Sequence, residues 1–424
     1  MNHNQKMSLI GVIIWIVCAL FFMYEFLLRT ILGTFEHTIV QDLNLNLISF
    51  AILSSTAYQM AYGLMQLPVG FITDRFGLKR TLFFATVFCA FAVIGFGMSL
   101  GFNSALIFRV LMGIGSSFGF ICLLVAVYDW MPRQHIALCI GLSQFIGTMG
   151  PMLAAGPLNA LSTHSELSWR FIFYMLGVVG LIIAIIALLI VRNNNDYTAS
   201  FRILKRPEPL TNSLLLLVRE PQVWYIALYS SCVYFAIEYF SENSGKAFLM
   251  LNGYSSTISS YMLTISWLGY AIGCPLLGFF SDRMSKRKLI MNIAAICVLS
   301  SAIFITYFPF NTVITSIAFF CLGVGASGQS IGFAIMAEQC NNNYLAAGLG
   351  LNNGMVMLVT SLMAPVIGGM LSWLAQGNEL SVQNYQTGFL LILILMLSAL
   401  LISVFLIKET FCKSTKETTK LHLK

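Results

Sequence analysis

Charged residues inside apolar stretches are the first candidates for chemistry in this chain. Glu25 and Arg29 lie four residues apart in one stretch, and Glu238 and Glu242 repeat that spacing in another. In a helix this spacing puts both side chains on one face. A carboxylate among apolar side chains can take up a proton, whereas an arginine stays charged and can hold an anion. These residues therefore favour proton exchange, with Glu25 and Glu238 as the better candidates.

Two further basic residues extend this set. Arg109 lies in a third apolar stretch, and Lys246 follows Glu242 by four residues on the same predicted face. A charged side chain at the centre of a membrane helix costs about 2.5 to 3.5 kcal/mol, so each is a functional candidate. Arg109 is expected to be an electrostatic partner or an anchor for a substrate carboxylate. The alternative for every one of these residues is an internal ion pair that fixes helix packing.

Uncharged polar and aromatic residues in the same apolar stretches are expected to complete the lining of a cavity. They are Tyr58, Tyr62, Gln66, Gln144, Tyr261, Trp267, Tyr270, Gln329, Asn352 and Asn353. A cavity with acids, bases, amides and tyrosines suits a small polar or zwitterionic solute. Aromatic residues at helical spacing are also common in packing, so that alternative stays open for each of them.

The elements that position these residues are membrane-spanning helices. Hydrophobic residues make up 58% of the 424 residues and charged ones 9%, against about 25% charged in soluble domains. At about 20 apolar residues per crossing, this composition predicts an all-α integral membrane protein with twelve transmembrane helices. The predicted spans are 9–33, 48–72, 81–101, 104–127, 137–160, 170–191, 222–247, 257–280, 289–309, 312–336, 345–371 and 388–408.

The distribution of basic residues predicts the orientation of the chain. Of the 23 Lys and Arg residues, 19 fall in segments that are cytoplasmic if the N-terminus is inside, as short inner loops favour. Both termini are therefore expected in the cytoplasm. The net charge of +7 indicates contact with an anionic lipid bilayer and requires no nucleic acid. The first apolar run is too long for a secretory signal core, which predicts a transmembrane helix.

A short cluster of glycine, aspartate and basic residues occurs twice. The first copy is Gly70-Phe-Ile-Thr-Asp74-Arg75-Phe-Gly77-Leu-Lys79-Arg80 and the second begins Gly278-Phe-Phe-Ser-Asp282-Arg283, 208 residues later. Asp74 ends an apolar helix beside basic residues, where a carboxylate can make charge-assisted hydrogen bonds that form in one conformation and break in another. The residues predicted to control the conformation are Gly70, Asp74, Arg75, Gly77, Lys79, Arg80, Asp282 and Arg283. The alternative is a loop that only fixes topology.

Other matches at nearly constant offset, such as Gly113-Ile-Gly115 with Gly323-Val-Gly325, indicate a duplicated chain. The predicted organisation is an N-terminal six-helix bundle over 1–191, a cytoplasmic linker over 192–221, a C-terminal six-helix bundle over 222–408 and a cytoplasmic tail over 409–424. Each half has an even number of helices, so both enter the membrane in the same sense.

The first cluster closely resembles the signature between helices two and three of the major facilitator superfamily. Arg109-Val-Leu-Met-Gly113-Ile-Gly115 resembles that family's fourth-helix motif, and Gly147-Thr-Met-Gly150-Pro151 resembles its fifth-helix Gly-Pro motif. The Gly-Pro motif of this chain lacks the trailing glycines, because Ala154 and Ala155 occupy those positions. In the family the complete motif is associated with antiporters, so the difference disfavours export. A narrower resemblance in the first two helices is to the bacterial phagosomal nutrient transporters.

The resemblance implies a secondary transporter that imports a small polar nutrient, with an amino acid or nucleoside favoured, across a bacterial cytoplasmic membrane. Without an ATP-binding motif, the energy is expected from protons or another coupling ion. The chain is expected to be a monomer, not an enzyme, with no cofactor and no bound metal. The alternatives are an exporter of drugs or a siderophore, a siderophore importer, and a transporter-like membrane sensor.

Overall fold

The computed structural model of the protein describes residues 8–131, 136–165, 167–193, 219–308, 311–340 and 345–412. Helices dominate this described part, in which no strand occurs, and ten of its helices are long and apolar enough to cross a membrane. The prediction of an all-α, twelve-helix integral membrane protein is confirmed. Most observed helix ends agree with the predicted spans to within about a turn.

The twelve spans are labelled α1 to α12 in chain order, and several are interrupted. They are α1 (Leu9–Thr34), α2 (Leu47–Ala51, a π turn at Ile52–Thr56, and Ala57–Phe76), α3 (Leu78–Gly97), α4 (Phe102–Ser116 and Phe118–Trp130), α5 (Ile136–Ala155), α6 (Trp169–Ile190), α7 (Pro221–Glu242), α8 (Ser256–Met284), α9 (Arg287–Tyr307), α10 (Thr312–Ala326 and Gly328–Gln339), α11 (Leu345–Ala375) and α12 (Val382–Gly388, Leu390–Leu401 and a π turn at Ile402–Leu406). Short helices at Glu36–Asp42, Pro157–Ser165 and Gly245–Leu251 follow α1, α5 and α7.

Contacts along the chain define two compact units. The first comprises Met1–Leu45 and Ile52–Arg206, and the second comprises Asn46–Ala51 and Pro207–Lys424. The sequence boundaries proposed for the two bundles, the linker and the tail stay a prediction, because most of 192–221 and of 409–424 lies outside the described residues.

Polar side chains fix where several spans begin. Ser8 accepts a hydrogen bond from the Gly11 amide at 3.0 Å, and Ser168 accepts one from the Phe171 amide at 3.2 Å. The first amides of a helix have no partner within it, so such caps supply one where the chain enters the apolar core. Single hydroxyl residues therefore define the starts of long apolar helices.

The end of α7 corrects one expectation. The sequence spacing placed Lys246 on the same helical face as Glu238 and Glu242, but α7 ends at Glu242. Asn243 leaves the helical region with φ −125° and ψ −139°, and Lys246 lies in the short helix that follows. A spacing of four residues predicts a shared face only while the helix continues, so this expectation was wrong for Lys246.

The duplication predicted from the sequence reappears as a repeated helix crossing. In the first unit α4 crosses α2 so closely that a Cβ atom at Gly113 would collide with the Tyr58 carbonyl oxygen. In the second unit a Cβ atom at Gly323 would collide with the Ser266 carbonyl oxygen of α8. Small residues allow this close approach of membrane helices. Both glycines and both carbonyls occupy equivalent places in the two copies.

Gly323→Ala is therefore expected to destabilise the protein. The added methyl group must push α10 away from α8, which costs about 1 to 3 kcal/mol in a packed core. Thermal unfolding of the purified protein, followed by tryptophan fluorescence, measures the effect. Gly278→Ala on α8 is the matched control, because no described atom lies within 4 Å of its Cβ position. Equal melting temperatures for the two variants would contradict the packing role.

Candidate functional site

In the first unit, Glu25 of α1 is fully buried and accepts a hydrogen bond from the Tyr58 hydroxyl of α2. The Tyr58 hydroxyl lies 2.9 Å from the Glu25 main-chain oxygen and 3.2 Å from its carboxylate Oε2. Gly119 of α4 completes the enclosure, since a Cβ atom there would lie 2.8 Å from Glu25 Cγ. A neutral hydroxyl donates a hydrogen bond to a carboxylate and leaves its charge in place.

Arg29 lies one turn further along α1 and is 4% exposed. Its guanidinium carbon lies 3.8 Å from the centre of the Phe26 ring, a distance at which a cation is attracted to the aromatic face. The first unit thus holds an acid and a base in successive turns of one helix, as the sequence spacing predicted.

Arg109 of α4 is fully buried and acts as a tie between helices. Its guanidinium donates to four main-chain carbonyl oxygens, which are those of Leu53 at 2.8 Å, Ser54 at 2.7 Å, Leu28 at 2.9 Å and Arg29 at 3.4 Å. The guanidinium carbon also lies 4.7 Å from the Tyr58 ring centre. With its donors directed at the main chain of α1 and α2, Arg109 holds three helices in place in this conformation.

The π turn in α2 explains why those carbonyls accept hydrogen bonds from Arg109. Leu53 and Ser54 lie within the π turn Ile52–Thr56. The i to i+5 pattern of a π turn interrupts the regular helical ladder and leaves carbonyls that need donors. No water reaches such groups in the hydrocarbon core, so a side chain must supply the hydrogen bond.

The other polar residues predicted in the first unit extend along the same helices. Tyr62 stacks on Tyr58 with ring centres 6.3 Å apart and an interplanar angle of 16°. Gln66, a further turn along α2, donates to the Ser117 carbonyl oxygen at 3.5 Å. Gln144 of α5 is half-buried. The structure therefore joins Tyr62 to the Glu25 cluster through Tyr58.

In the second unit the buried acids lie on α7. Glu238 is fully buried, and the Thr360 hydroxyl of α11 lies 3.5 Å from its Oε2 and 3.2 Å from the Val356 carbonyl oxygen. Glu242 is also fully buried and ends the helix. Like Glu25, Glu238 therefore has a neutral hydroxyl as a neighbour.

An aromatic and amide cluster lies beside these acids on α7, α8 and α10. The Trp267 indole donates to the Ser241 hydroxyl at 2.8 Å, and the Tyr270 hydroxyl donates to Gln329 Oε1 at 2.7 Å. Tyr234 meets both rings edge-on, with centres 6.1 Å from Trp267 and 5.5 Å from Tyr270. Three of the predicted lining residues are thus brought together, with Tyr234 and Ser241 added by the structure.

The remaining predicted residues of the second unit lie on α8 and α11. Tyr261 of α8 is 43% exposed and makes none of these contacts. On α11, Asn352 is fully buried, and Asn353 beside it is half-buried.

The two copies of the glycine, aspartate and basic cluster differ in structure. In the first, Gly77 ends α2 with φ +80°, and Arg75 and Arg80 are exposed, with Lys79 and Gly70 half-buried. The side chain of Asp74 lies outside the described part. In the second copy Asp282 accepts a hydrogen bond from Arg287 at 2.6 Å, and Arg283 is exposed.

Several residues that matter in this geometry were not singled out in the sequence. Thr360, Tyr234 and Ser241 are ordinary members of apolar helices, and Glu338 and Asn193 lie at or near helix ends. Their partners are tens to more than a hundred residues away in the chain. Only the excess of polar residues at helix ends offered a signal.

The helical, membrane-spanning architecture agrees with comparisons to known proteins. The family model "Major Facilitator Superfamily" matches residues 14–327 and 246–421. The chain belongs to this superfamily of transporters and is a multi-pass membrane protein, not an enzyme.

Individual relatives give the same class. The chain is 25% identical over 301 residues to the hexuronate transporter of Bacillus subtilis (strain 168), covering 67% of this chain and 69% of that protein. It is 24% identical over 376 residues to a probable L-galactonate transporter of Escherichia coli (strain K12), covering 82% and 80%. The crystal structure of a D-xylose-proton symporter matches with a TM-score of 0.73 at 15% identity, over 96% of this chain and 99% of the other.

Arg109→Lys tests whether Arg109 is a structural tie. A lysine ammonium has three donors and cannot reach carbonyls on both α1 and α2, which leaves buried carbonyls unsatisfied at about 1 to 3 kcal/mol each. We expect a lower melting temperature and poor recovery as a monodisperse protein. Arg283→Lys, at an exposed position, is the control. Full stability of Arg109→Lys together with lost transport would instead assign Arg109 to the substrate.

Proposed function

We propose that the protein imports a small polar nutrient carrying a carboxylate, driven by proton entry across a bacterial cytoplasmic membrane. The observation that carries this proposal is the pair of fully buried carboxylates, Glu25 and Glu238, one in each unit, each beside a neutral hydroxyl. Family membership supports transport as the activity.

The proton step follows from the surroundings of these acids. A buried carboxylate is costly when charged, and its cost falls when it is protonated or meets a cation. The Tyr58 hydroxyl lies beside Glu25 and the Thr360 hydroxyl lies beside Glu238. A change of conformation in a transporter can change these surroundings and, with them, the stability of the charged forms. Such acids can load a proton on one side and release it on the other.

Binding of an anionic solute is assigned to Arg29. The sequence left Arg109 as an electrostatic partner or an anchor for a substrate carboxylate, and in this structure its guanidinium donates to four main-chain carbonyl oxygens. Arg29 is buried beside Glu25 and keeps its charge at any physiological pH. A guanidinium also binds a carboxylate with two parallel hydrogen bonds.

The chemistry of the relatives agrees with a carboxylate. The hexuronate and L-galactonate transporters are named for sugar acids. Sugar acids and amino acids share a carboxylate and several polar groups, whereas nucleosides lack the carboxylate. In the second unit, the Trp267, Tyr270 and Gln329 cluster has aromatic faces and an amide of the kinds that bind polar solutes.

The direction and the solute class are tested together by uptake. Cells expressing the protein should accumulate at least one labelled sugar acid or amino acid, more at pH 6 than at pH 7.5, and a protonophore should abolish the accumulation. Nucleosides serve as the carboxylate-free comparison. Accumulation of nucleosides alone would overturn the solute class. No accumulation of any solute, combined with lowered drug sensitivity, would overturn import.

Glu25→Gln and Glu238→Gln test the coupling residues. Each removes the proton acceptor and keeps the shape of the side chain, so gradient-driven accumulation should be lost while exchange of labelled for unlabelled substrate continues. Glu379→Gln, at an exposed position, is the control. Full pH-dependent accumulation in both variants would remove Glu25 and Glu238 from the coupling mechanism.

A further inference from the structure

The segment that follows α12, Ile407–Cys412, caps the start of α9. Glu409 Oε1 accepts the Arg287 amide at 2.9 Å, and Glu409 Oε2 accepts the Lys288 amide at 2.9 Å. These are first-turn amides that no helical carbonyl reaches. A carboxylate is well suited to this place, because the helix dipole is positive there and charge-assisted hydrogen bonds are strong.

The same segment is tied to two other helices of the second unit. Gln222 at the start of α7 accepts the Lys408 amide at 3.0 Å and donates to the Leu406 carbonyl oxygen at 2.9 Å. The Thr410 hydroxyl donates to Glu338 at the end of α10. The turn between α8 and α9 is therefore held from several sides.

Arg287 joins the cap to these acids. Its guanidinium donates to Glu338 Oε1 at 2.8 Å and to Asp282 Oδ1 at 2.6 Å. Three carboxylates, those of Asp282, Glu338 and Glu409, thus converge on the side chain and amide of one residue. The Arg287 side chain is only 10% exposed, so these bonds are partly shielded from water.

The first unit has a weaker version of the same cap. Asn193, three residues beyond the end of α6, accepts the Lys79 amide of α3 at 3.0 Å through Oδ1. Gly77 approaches it closely, since a Cβ atom there would lie 2.8 Å from Asn193 Nδ2. In each unit, a residue three positions beyond the end of the sixth helix caps the start of the third helix. The first cap is one bond to a neutral amide, and the second is two bonds to a carboxylate.

We propose that Asn193 and Glu409 are latches of unequal strength that decide which turn moves during transport. The Glu409 latch keeps the α8–α9 turn fixed, and the Asn193 latch opens and closes at the α2–α3 turn in each cycle. Both residues act by positioning the turns and need no contact with substrate.

Hydrogen–deuterium exchange on the purified protein in lipid nanodiscs tests the unequal strength without any substrate. Amides at 286–290 should exchange at least about tenfold more slowly than amides at 77–81. Glu409→Ala should accelerate exchange at 286–290 by about fivefold or more, as loss of a helix cap does, and leave 77–81 unchanged. Glu409→Gln, which keeps one acceptor oxygen, should give an intermediate rate.

Lys408→Ala is the matched control, because the Lys408 side chain is exposed and only its amide is bonded to Gln222. It should leave both turns unchanged. Unchanged exchange at 286–290 in Glu409→Ala, or equal acceleration at both turns, would overturn the latch at α9.

Substitutions at Asn193 test the link to transport with opposite expected signs. Asn193→Asp adds a charge beside Lys79 and Arg80, so it should strengthen the latch, slow exchange at 77–81 and reduce turnover by about fivefold. Asn193→Ala should accelerate amide exchange at 77–81 and raise turnover. Neither substitution should change KM. Turnover that moves in the same direction in both variants, or in neither, would overturn the moving latch. The hydrogen–deuterium exchange measurements need no substrate, so they test the latches even if the proposed solute is wrong.

Discussion

The four carbonyl oxygens that share the Arg109 guanidinium are the constraint on which the first unit depends. They come from α1 and from the π turn of α2, and α4 supplies the arginine. The hydrocarbon core offers no water to replace any of these hydrogen bonds. Because the guanidinium also faces the Tyr58 ring, it fixes the tyrosine whose hydroxyl reaches Glu25. The position of the acid therefore depends on Arg109 through Tyr58.

The second unit fills the equivalent place without charge. Phe319 replaces Arg109 in the repeat and is fully buried, with its ring centre 6.0 Å from that of Phe240. Phe240 in turn lies 5.3 Å from Phe389. No arginine is present there to bond freed carbonyls, and α8 runs without interruption from Ser256 to Met284, whereas α2 contains a π turn. Arg109 and the π turn are thus linked, because the guanidinium supplies donors for the carbonyl oxygens of the π turn, and these oxygens supply acceptors for the buried guanidinium.

The parts of this structure that depend on local pattern could be predicted from the sequence. Apolar length gave the twelve spans, and the repeated offsets led to the equivalent crossings at Gly113 and Gly323. The shared face of Glu25 and Arg29 followed from helical spacing. What could not be predicted depends on groups brought together from distant segments, such as Thr360 with Glu238. The end of α7 before Lys246 also escaped prediction, because nothing in the local pattern distinguishes an interrupted helix from a continued one.

The backbone of the two repeated turns supports a difference in their mobility. Gly77 takes φ +80° at the first turn, and Ser285 takes φ +51° at the second, where a side chain costs about 1 to 2 kcal/mol. Such strain persists only where the surrounding structure over-determines the conformation. At Ser285 the conformation is held by the hydrogen bonds of Arg287 to Asp282 and Glu338 and by the Glu409 cap. At Gly77 a glycine takes its φ without such strain, and the hydrogen bond from the Lys79 amide to Asn193 caps the helix that follows. The first turn can therefore change conformation at a lower cost than the second.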